Sequence, residues 1–250
     1  RVPVPWIVLI QEDTPQIDAS LALAALEPDV PNGDPRHLLV SQGDEGWPAA
    51  AAEQATFVEE LLSSSTPAER RLAVFSLTRI PLAVQLGFLR SDRCRVQLFQ
   101  YHRDEQPWRW PSTIPAEISL PTVAQEVLDA STAGSLVLRV SLSATVDRPV
   151  AHGRVDDAIA DVHISVPAPS VNWLMCREQL VAFAKVVRAG FEWAREEMGK
   201  RCTGIHLFYA GTTGGAIEVG RQYNPRMNPP LHLYEYHHAR ELKYERVLEI

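Results

Sequence analysis

Short apolar runs alternate with helix-like stretches along the whole chain. Val4–Ile10 (VPWIVLI), RHLLVSQ (36–42), RLAVFSL (71–77) and RVQLFQYH (95–102) are short apolar runs that predict buried strands. Between them, ASLALAALE (19–27), AAAAEQATFVEELL opened by Pro48, and PLAVQLGF (81–88) predict helices. Four prolines then punctuate RDEQPWRWPSTIPAEISLP, which reads as a linker. TVAQEVLDA after it suits a helix. The alternation resumes with strands LVLRVSLS (136–143), ADVHISV (160–166), IHLFYA (205–210) and LHLYEYHH (231–238). From Trp173 to about Met198, Leu180, Phe183, Ala184, Val187, Phe191 and Ala194 share one helical face. AIEVGRQ gives one more short helix.

The two sets echo each other. Phe75 to Gly87 spans 12 positions, and so does Phe208 to Gly220. At that offset of 133 (208 − 75), AVQLG (83–87) lies under AIEVG (216–220). VQLFQYH and LHLYEYH match after a two-residue insertion. Trp47 precedes Glu53-Gln54 as Trp173 precedes Glu178-Gln179. Alternating short strands and helices imply parallel β-α-β units. The expected architecture is α/β: a first unit over 1–103, a Pro-rich linker over 104–121 and a second unit over 122–250. Ligands of such sheets sit at the carboxyl ends of the strands. The expected lining is therefore the loops 42–47, 76–81, 141–145, 166–173 and 210–215.

Composition narrows the partners. A formal net charge of −7, with 24 basic against 31 acidic residues, disfavours a binder of long duplex nucleic acid. It leaves room for a small anion held by local groups. Cys94, Cys176 and Cys202 are odd in number and form no C-x-x-C pair. That argues against a disulfide framework or structural zinc and for a reducing compartment. No apolar run has the length of a membrane span, and no signal peptide is visible. The chain opens directly into a strand-like run, as an excised fragment does.

The chemistry-bearing stretch is FYAGTTGGAIEVG (208–220): strand, glycine-rich turn, helix. Such a turn can hold an anion on backbone amides, shape a catalytic elbow, or be only a turn. The G-x-T-x-G spacing needs a base and a carboxylate that the sequence does not place, and threonine replaces serine poorly there. Trp47 and Trp173, each near a helix start, either anchor packing or stack on bases; Trp173 is the better stacking candidate. Trp108 and Trp110 in the linker suit a cover for the core. Strand alternation sends His232 and His238 to one face and His237 to the other, which is poor metal geometry. Asp156, Asp157 and Asp161 read as a solvated turn.

The C-terminal stretch resembles the end of SAVED domains. The shared pattern is an apolar strand (Ile205–Ala210), a small-residue loop (Gly211–Gly215), an A-x-x-x-G helix (Ala216–Gly220) and a strand ending L-Y-E-Y (Leu233–Tyr236). The resemblance implies two fused CARF-like, Rossmann-like units that sense a cyclic oligonucleotide second messenger in bacterial anti-phage defence. CBASS is the usual setting, type III CRISPR an occasional one. It further implies an N-terminal effector fused to the sensor but missing from this chain, ligand-driven assembly, and a bacterial cytoplasmic location. By family analogy the ligand is expected to be a cyclic trinucleotide. No catalysis, cofactor or metal is expected. On this reading the backbone of Gly211, Gly214 and Gly215 and the hydroxyls of Thr212 and Thr213 meet phosphate. Ser141, Ser143 and Thr78 add hydroxyls, Arg79 adds charge from the other half, and Trp173 and Tyr209 offer rings. The rival class is a ring nuclease or other phosphodiesterase using Thr213 or a histidine. A third is an assembly scaffold that binds no nucleotide.

Overall fold

The structure, a computed structural model, describes residues 2–40, 46–66, 70–90, 94–102, 107–111 and 117–250. Two sheets form, each around a central parallel strand. In the first, β1 (Pro5–Glu12) pairs in parallel with the two-residue β2 (Val30–Pro31), with β3 (Arg36–Leu39) and with β4 (Arg71–Leu77). β5 (Arg95–Phe99) continues parallel on β4. In the second, β6 (Thr122–Val127) runs antiparallel on the edge. β7 (Gly134–Ser141) lies between β8 (Ala158–Ser165) and β9 (Cys202–Ala210), and β10 (Leu231–Tyr236) follows β9, all parallel. β11 (Tyr244–Glu249) closes the other edge antiparallel to β10. The parallel orders β3-β1-β4-β5 and β8-β7-β9-β10 are the same, as the α/β expectation of two Rossmann-like units required.

The helices are α1 (Ala19–Leu26), α2 (Gly46–Ser63), α3 (Ile80–Arg90), α4 (Arg148–His152), α5 (Arg177–Met198) and α6 (Thr213–Gln222). Local chemistry explains their limits. Asp18 caps α1 by accepting the Ser20 N–H at 2.8 Å. Gln179 folds back to accept the N–H groups of Met175 and Cys176 and so starts α5. Gly199, at φ +51°, ends it. The buried face of α5 is Phe183, Val187, Phe191, Ala194 and Met198, spaced by threes and fours.

TVAQEVLDA is not a helix. Residues 122–127 form β6, because β8 offers an unpaired edge and Val123 packs on the core while its neighbours stay exposed. That tertiary pairing overrides the local helical pattern. The strand expected over 231–238 is also shorter, ending at Tyr236, and α4 and β11 were not anticipated. Residues 41 and 42 of the expected second strand lie outside the described residues.

One hydrophobic core runs through both halves, from Leu9, Val74 and Leu86 to Leu138, Phe183 and Ile217. Each half has its own outer core besides, and these repeat each other. In the first, the Phe75 and Phe99 rings stack at 4.4 Å, and Trp108 meets Phe75 edge-on at 5.3 Å. In the second, Phe208 and Tyr234 stack at 4.4 Å, and Tyr244 meets Phe208 edge-on at 5.1 Å. Tyr101 on Trp108 and Tyr236 on Tyr244 complete the match at 5.2 Å each. Trp108 thus does for the first half what β11 does for the second. Such pairs contribute about 0.5–1.5 kcal/mol each beyond burial.

Candidate ligand site

The two halves meet through α3 and α6. A methyl group added to Gly87 would fall on the backbone oxygen of Ile217, and one added to Gly220 on that of Val84. Both pairs are related by the same step, 220 − 87 and 217 − 84. The contact is therefore its own mirror under exchange of the halves, as a pseudo-twofold axis between the helices requires. Glycine is needed at both places because the backbones touch. The carboxyl ends of β4 and β9 lead directly into α3 and α6, and parallel pairing puts the ends of β1 and β7 beside them.

Around α6, Thr212 is the N-cap. Its Oγ1 accepts the Gly215 N–H at 3.4 Å, and its carbonyl accepts the Tyr209 hydroxyl at 2.8 Å. A methyl at Gly211 or Gly215 would collide with the Tyr209 hydroxyl. Gly211 and Gly215 thus make room for a ring of their own strand. Burial pushes the Tyr209 hydroxyl far above its ordinary pKa, so it stays a neutral donor. Gly214 faces the other half: its methyl would lie 2.8 Å from Oε1 of Gln100, beyond the end of β5.

Glu235 makes the reciprocal reach. It follows Tyr234 as Gln100 follows Phe99, and it crosses to α3, where Arg79 Nη1 donates to it at 2.9 Å. Asp13 stands 3.9 Å from the same guanidinium. Burial raises the Glu235 pKa, and the Arg79 charge opposes that shift. Arg79 is 42% exposed and Glu235 only 13%.

The remaining expected residues are placed as follows. Ser141 is 1% exposed. Its oxygen accepts the Val146 N–H at 2.9 Å and lies 2.8 Å from His163 Nε2. That is the hydrogen-bonding pattern of a nucleophile and its base, on an oxygen sealed from solvent. Ser143 is half-buried. Trp173 is buried against Phe183, and its indole donates to Ser119 O at 3.0 Å; Trp47 is buried in the same core. Thr78 is 8% exposed, with a hydroxyl that has no partner among the described residues. Residues 42–45 of the first expected loop lie outside the described residues. Asp161 is not in a solvated turn. It is buried, holds Arg139 through two bonds of 2.8 and 2.9 Å, and takes His152 Nε2 at 2.6 Å. Among the described residues no group of three metal-ligating side chains forms. A groove of about 340 Å³ lies elsewhere, walled by Val96, Leu180 and Arg221, and none of the expected residues lines it.

The model of the SAVED family, the SMODS-associated and fused to various effectors sensor domain, matches residues 54–250. The chain belongs to the SAVED family. Solved structures agree on the fold. Acinetobacter baumannii Cap4, a SAVED/CARF-domain containing receptor, was solved with the cyclic trinucleotides 3′3′3′-cAAA and 2′3′3′-cAAA. The first aligns with TM-score 0.58 over 99% of this chain at 14% identity, the second with 0.62 over 98% at 14%. The Moraxella osloensis Cap4 receptor aligns at TM-score 0.60 and 13% identity over 98% of the chain. This SAVED chain spans about half of those receptors, 50–51% of their length. No curated protein sequence matches it significantly. No helix among the described residues is long and apolar enough to cross a membrane.

Gln100 and Glu235, which reach the start of the other half's helix, were not anticipated. Their signal was present, since they are the polar letters in the paired LFQY and LYEY.

Proposed function

We propose that this SAVED chain senses a cyclic oligonucleotide, a cyclic trinucleotide, at the carboxyl ends of the strands where α3 and α6 meet. The observation that carries this is the self-reciprocal contact of α3 and α6, with the start of each helix reaching a strand end of the other half, Arg79 to Glu235 and Gly214 to Gln100. The Cap4 receptors solved with cyclic trinucleotides support it. Thr78, Ser143, Gly211, Thr212, Thr213 and the Gly214 amide are the contacts with groups to offer. Arg79 would meet phosphate in competition with Glu235. Ser141, Trp173, Tyr209 and the Gly215 N–H would do so only by giving up their present partners.

Sensing without chemistry follows from the same reading. The ligand changes the assembly of the chain, and the assembly activates a fused effector in the cytoplasm of a bacterium defending itself against phage by CBASS. Titration calorimetry against cyclic di-, tri- and tetranucleotides, with light scattering on the same samples, tests it. One ligand per chain, a rise in mass on saturation and no linear product are expected. Binding to none of the panel sinks the sensor, and release of linear product replaces it with a ring nuclease.

A further inference from the structure

Three polar side chains at the carboxyl ends of β1 and β4 have no hydrogen-bond partner among the described residues. Gln11 is 0% exposed with neither amide atom bonded; Ser76 is 5% exposed and Thr78 8%, each with a free hydroxyl. Gln11 and Ser76 are register partners on adjacent strands, so their side chains share one face. Thr78 follows two positions on, before α3. A buried amide or hydroxyl without a hydrogen bond is destabilising. Three such groups side by side form a polar slot whose hydrogen bonds no described residue makes.

The second half shows the slot's alternative. Leu77 pairs with Glu12 as Ala210 pairs with Ser141, which fixes the equivalent positions. Gln11 becomes Val140, Ser76 becomes Tyr209 and Thr78 becomes Gly211. There the space is filled by the Tyr209 ring, whose hydroxyl is spent on Thr212 O. One half is plugged and satisfied. The other is small, polar and unsatisfied.

We propose that Gln11, with Ser76 and Thr78, reads the edge of one base of the cyclic ligand, so that specificity resides in the first half alone. This rests on the sensor reading above. A glutamine amide offers a donor and an acceptor side by side, which matches the amino group and adjacent ring nitrogen of adenine. The two hydroxyls supply the adaptable remainder. All three groups are closed off from solvent, so the slot opens to admit the base.

The test uses Gln11→Met, which keeps the volume and removes the amide, with 3′3′3′-cAAA as the probe. A second ring carries one purine lacking the amino group. Wild type should bind cAAA about ten- to a hundredfold tighter than Gln11→Met does. The variant should lose most of the wild type's discrimination between the two rings. It should also melt higher without ligand, because an unpaired buried amide is gone. That gain shows that the amide has no partner in the free protein, and the lost discrimination assigns it to the ligand. Thr78→Val should move affinity the same way by less, and it covers the case in which Gln11→Met does not fold. Equal affinity of wild type and variant, or a lower melting temperature with unchanged discrimination, overturns the proposal and assigns the amide to internal water. Failure of wild type to bind any cyclic oligonucleotide overturns the sensor reading itself, a separate result.

Discussion

Beneath the first turn of α6 lies a tyrosine ring; beneath the first turn of α3 the corresponding residue is Ser76. The two halves agree where they pack and differ where their strands end. Both have a stacked aromatic pair at 4.4 Å and a glycine at the helix crossing. Among the described residues, only the second half has a ring in the turn, a buried Arg139–Asp161–His152 network and antiparallel strands on both outer edges. Only the first has unpaired Gln11, Ser76 and Thr78. Packing constrains both copies of a duplicated frame in the same way, because interiors tolerate little change in volume. The strand ends carry no such constraint. A ring ligand lying on the pseudo-twofold axis would meet two unlike surfaces and could be held in one orientation.

The largest expected effect tests the agreement. Gly87→Ala and Gly220→Ala each place a methyl on a backbone oxygen that cannot rotate away. Each should destabilise by about 3 kcal/mol or more, at or above the upper range for overpacking. Urea melts of the two variants should nearly coincide. Tolerance of one and collapse of the other would show that the helix contact is not shared equally by the halves.

Those glycines also mark what the sequence made legible. The step of 133 aligned Gly87 with Gly220 from letters alone, and the fold turns that alignment into a contact. That the strands pair in parallel was readable too, since apolar runs alternate with helical periods. β6 was not, because its pairing with the edge of β8 depends on residues more than thirty positions away. In GTTGG the letters showed a turn but not the reason for Gly211 and Gly215, which is a ring one strand residue away from the loop. Gln11 was invisible for a different reason. Nothing in VLIQED says that the amide is buried without a partner; only the closed structure does.

Arg79 and Glu235 test the tie between the halves. In the other direction the tie has no charge, because Gln100 takes the place of Glu235 and Thr212 that of Arg79. Arg79→Ala should destabilise by roughly 1–2 kcal/mol, less than a fully buried pair, because Arg79 is partly exposed. The Glu235 pKa, already raised by burial, should rise further without the cation. An acid whose folded pKa is raised binds its proton more tightly when folded, so the variant's deficit should shrink as pH falls and be greatest at neutral pH. Adding Glu235→Gln, which gives the second half the residue of the first, should recover part of the loss. Unchanged stability of Arg79→Ala at both pH 5 and pH 8 would mean the bridge holds nothing.

The smallest effect separates the outer cores. Where the first half has the buried Ala73, the second has His206, whose Nδ1 lies 2.8 Å from the Tyr234 hydroxyl. Burial, and then the neighbouring His232, push the His206 pKa down to about 4; Arg246 lowers it further and Asp157 opposes. The sign follows from the unfolded chain, where the imidazole takes its proton near the ordinary value of 6.5. Between pH 6.5 and about 4 the unfolded state holds the extra proton and the folded state does not. His206 therefore costs no stability above pH 6.5, costs progressively more as pH falls toward 4, and adds no further slope below that. His206→Gln keeps a polar group for Tyr234 and cannot titrate. Its urea midpoint should match wild type within about 1 kcal/mol at pH 8 and fall less steeply between pH 6.5 and 4. Some slope should remain, because burial also lowers the pKa of His232 and of His163. Parallel pH profiles for wild type and His206→Gln would place the acid sensitivity outside the second half's aromatic core and remove this difference from the comparison.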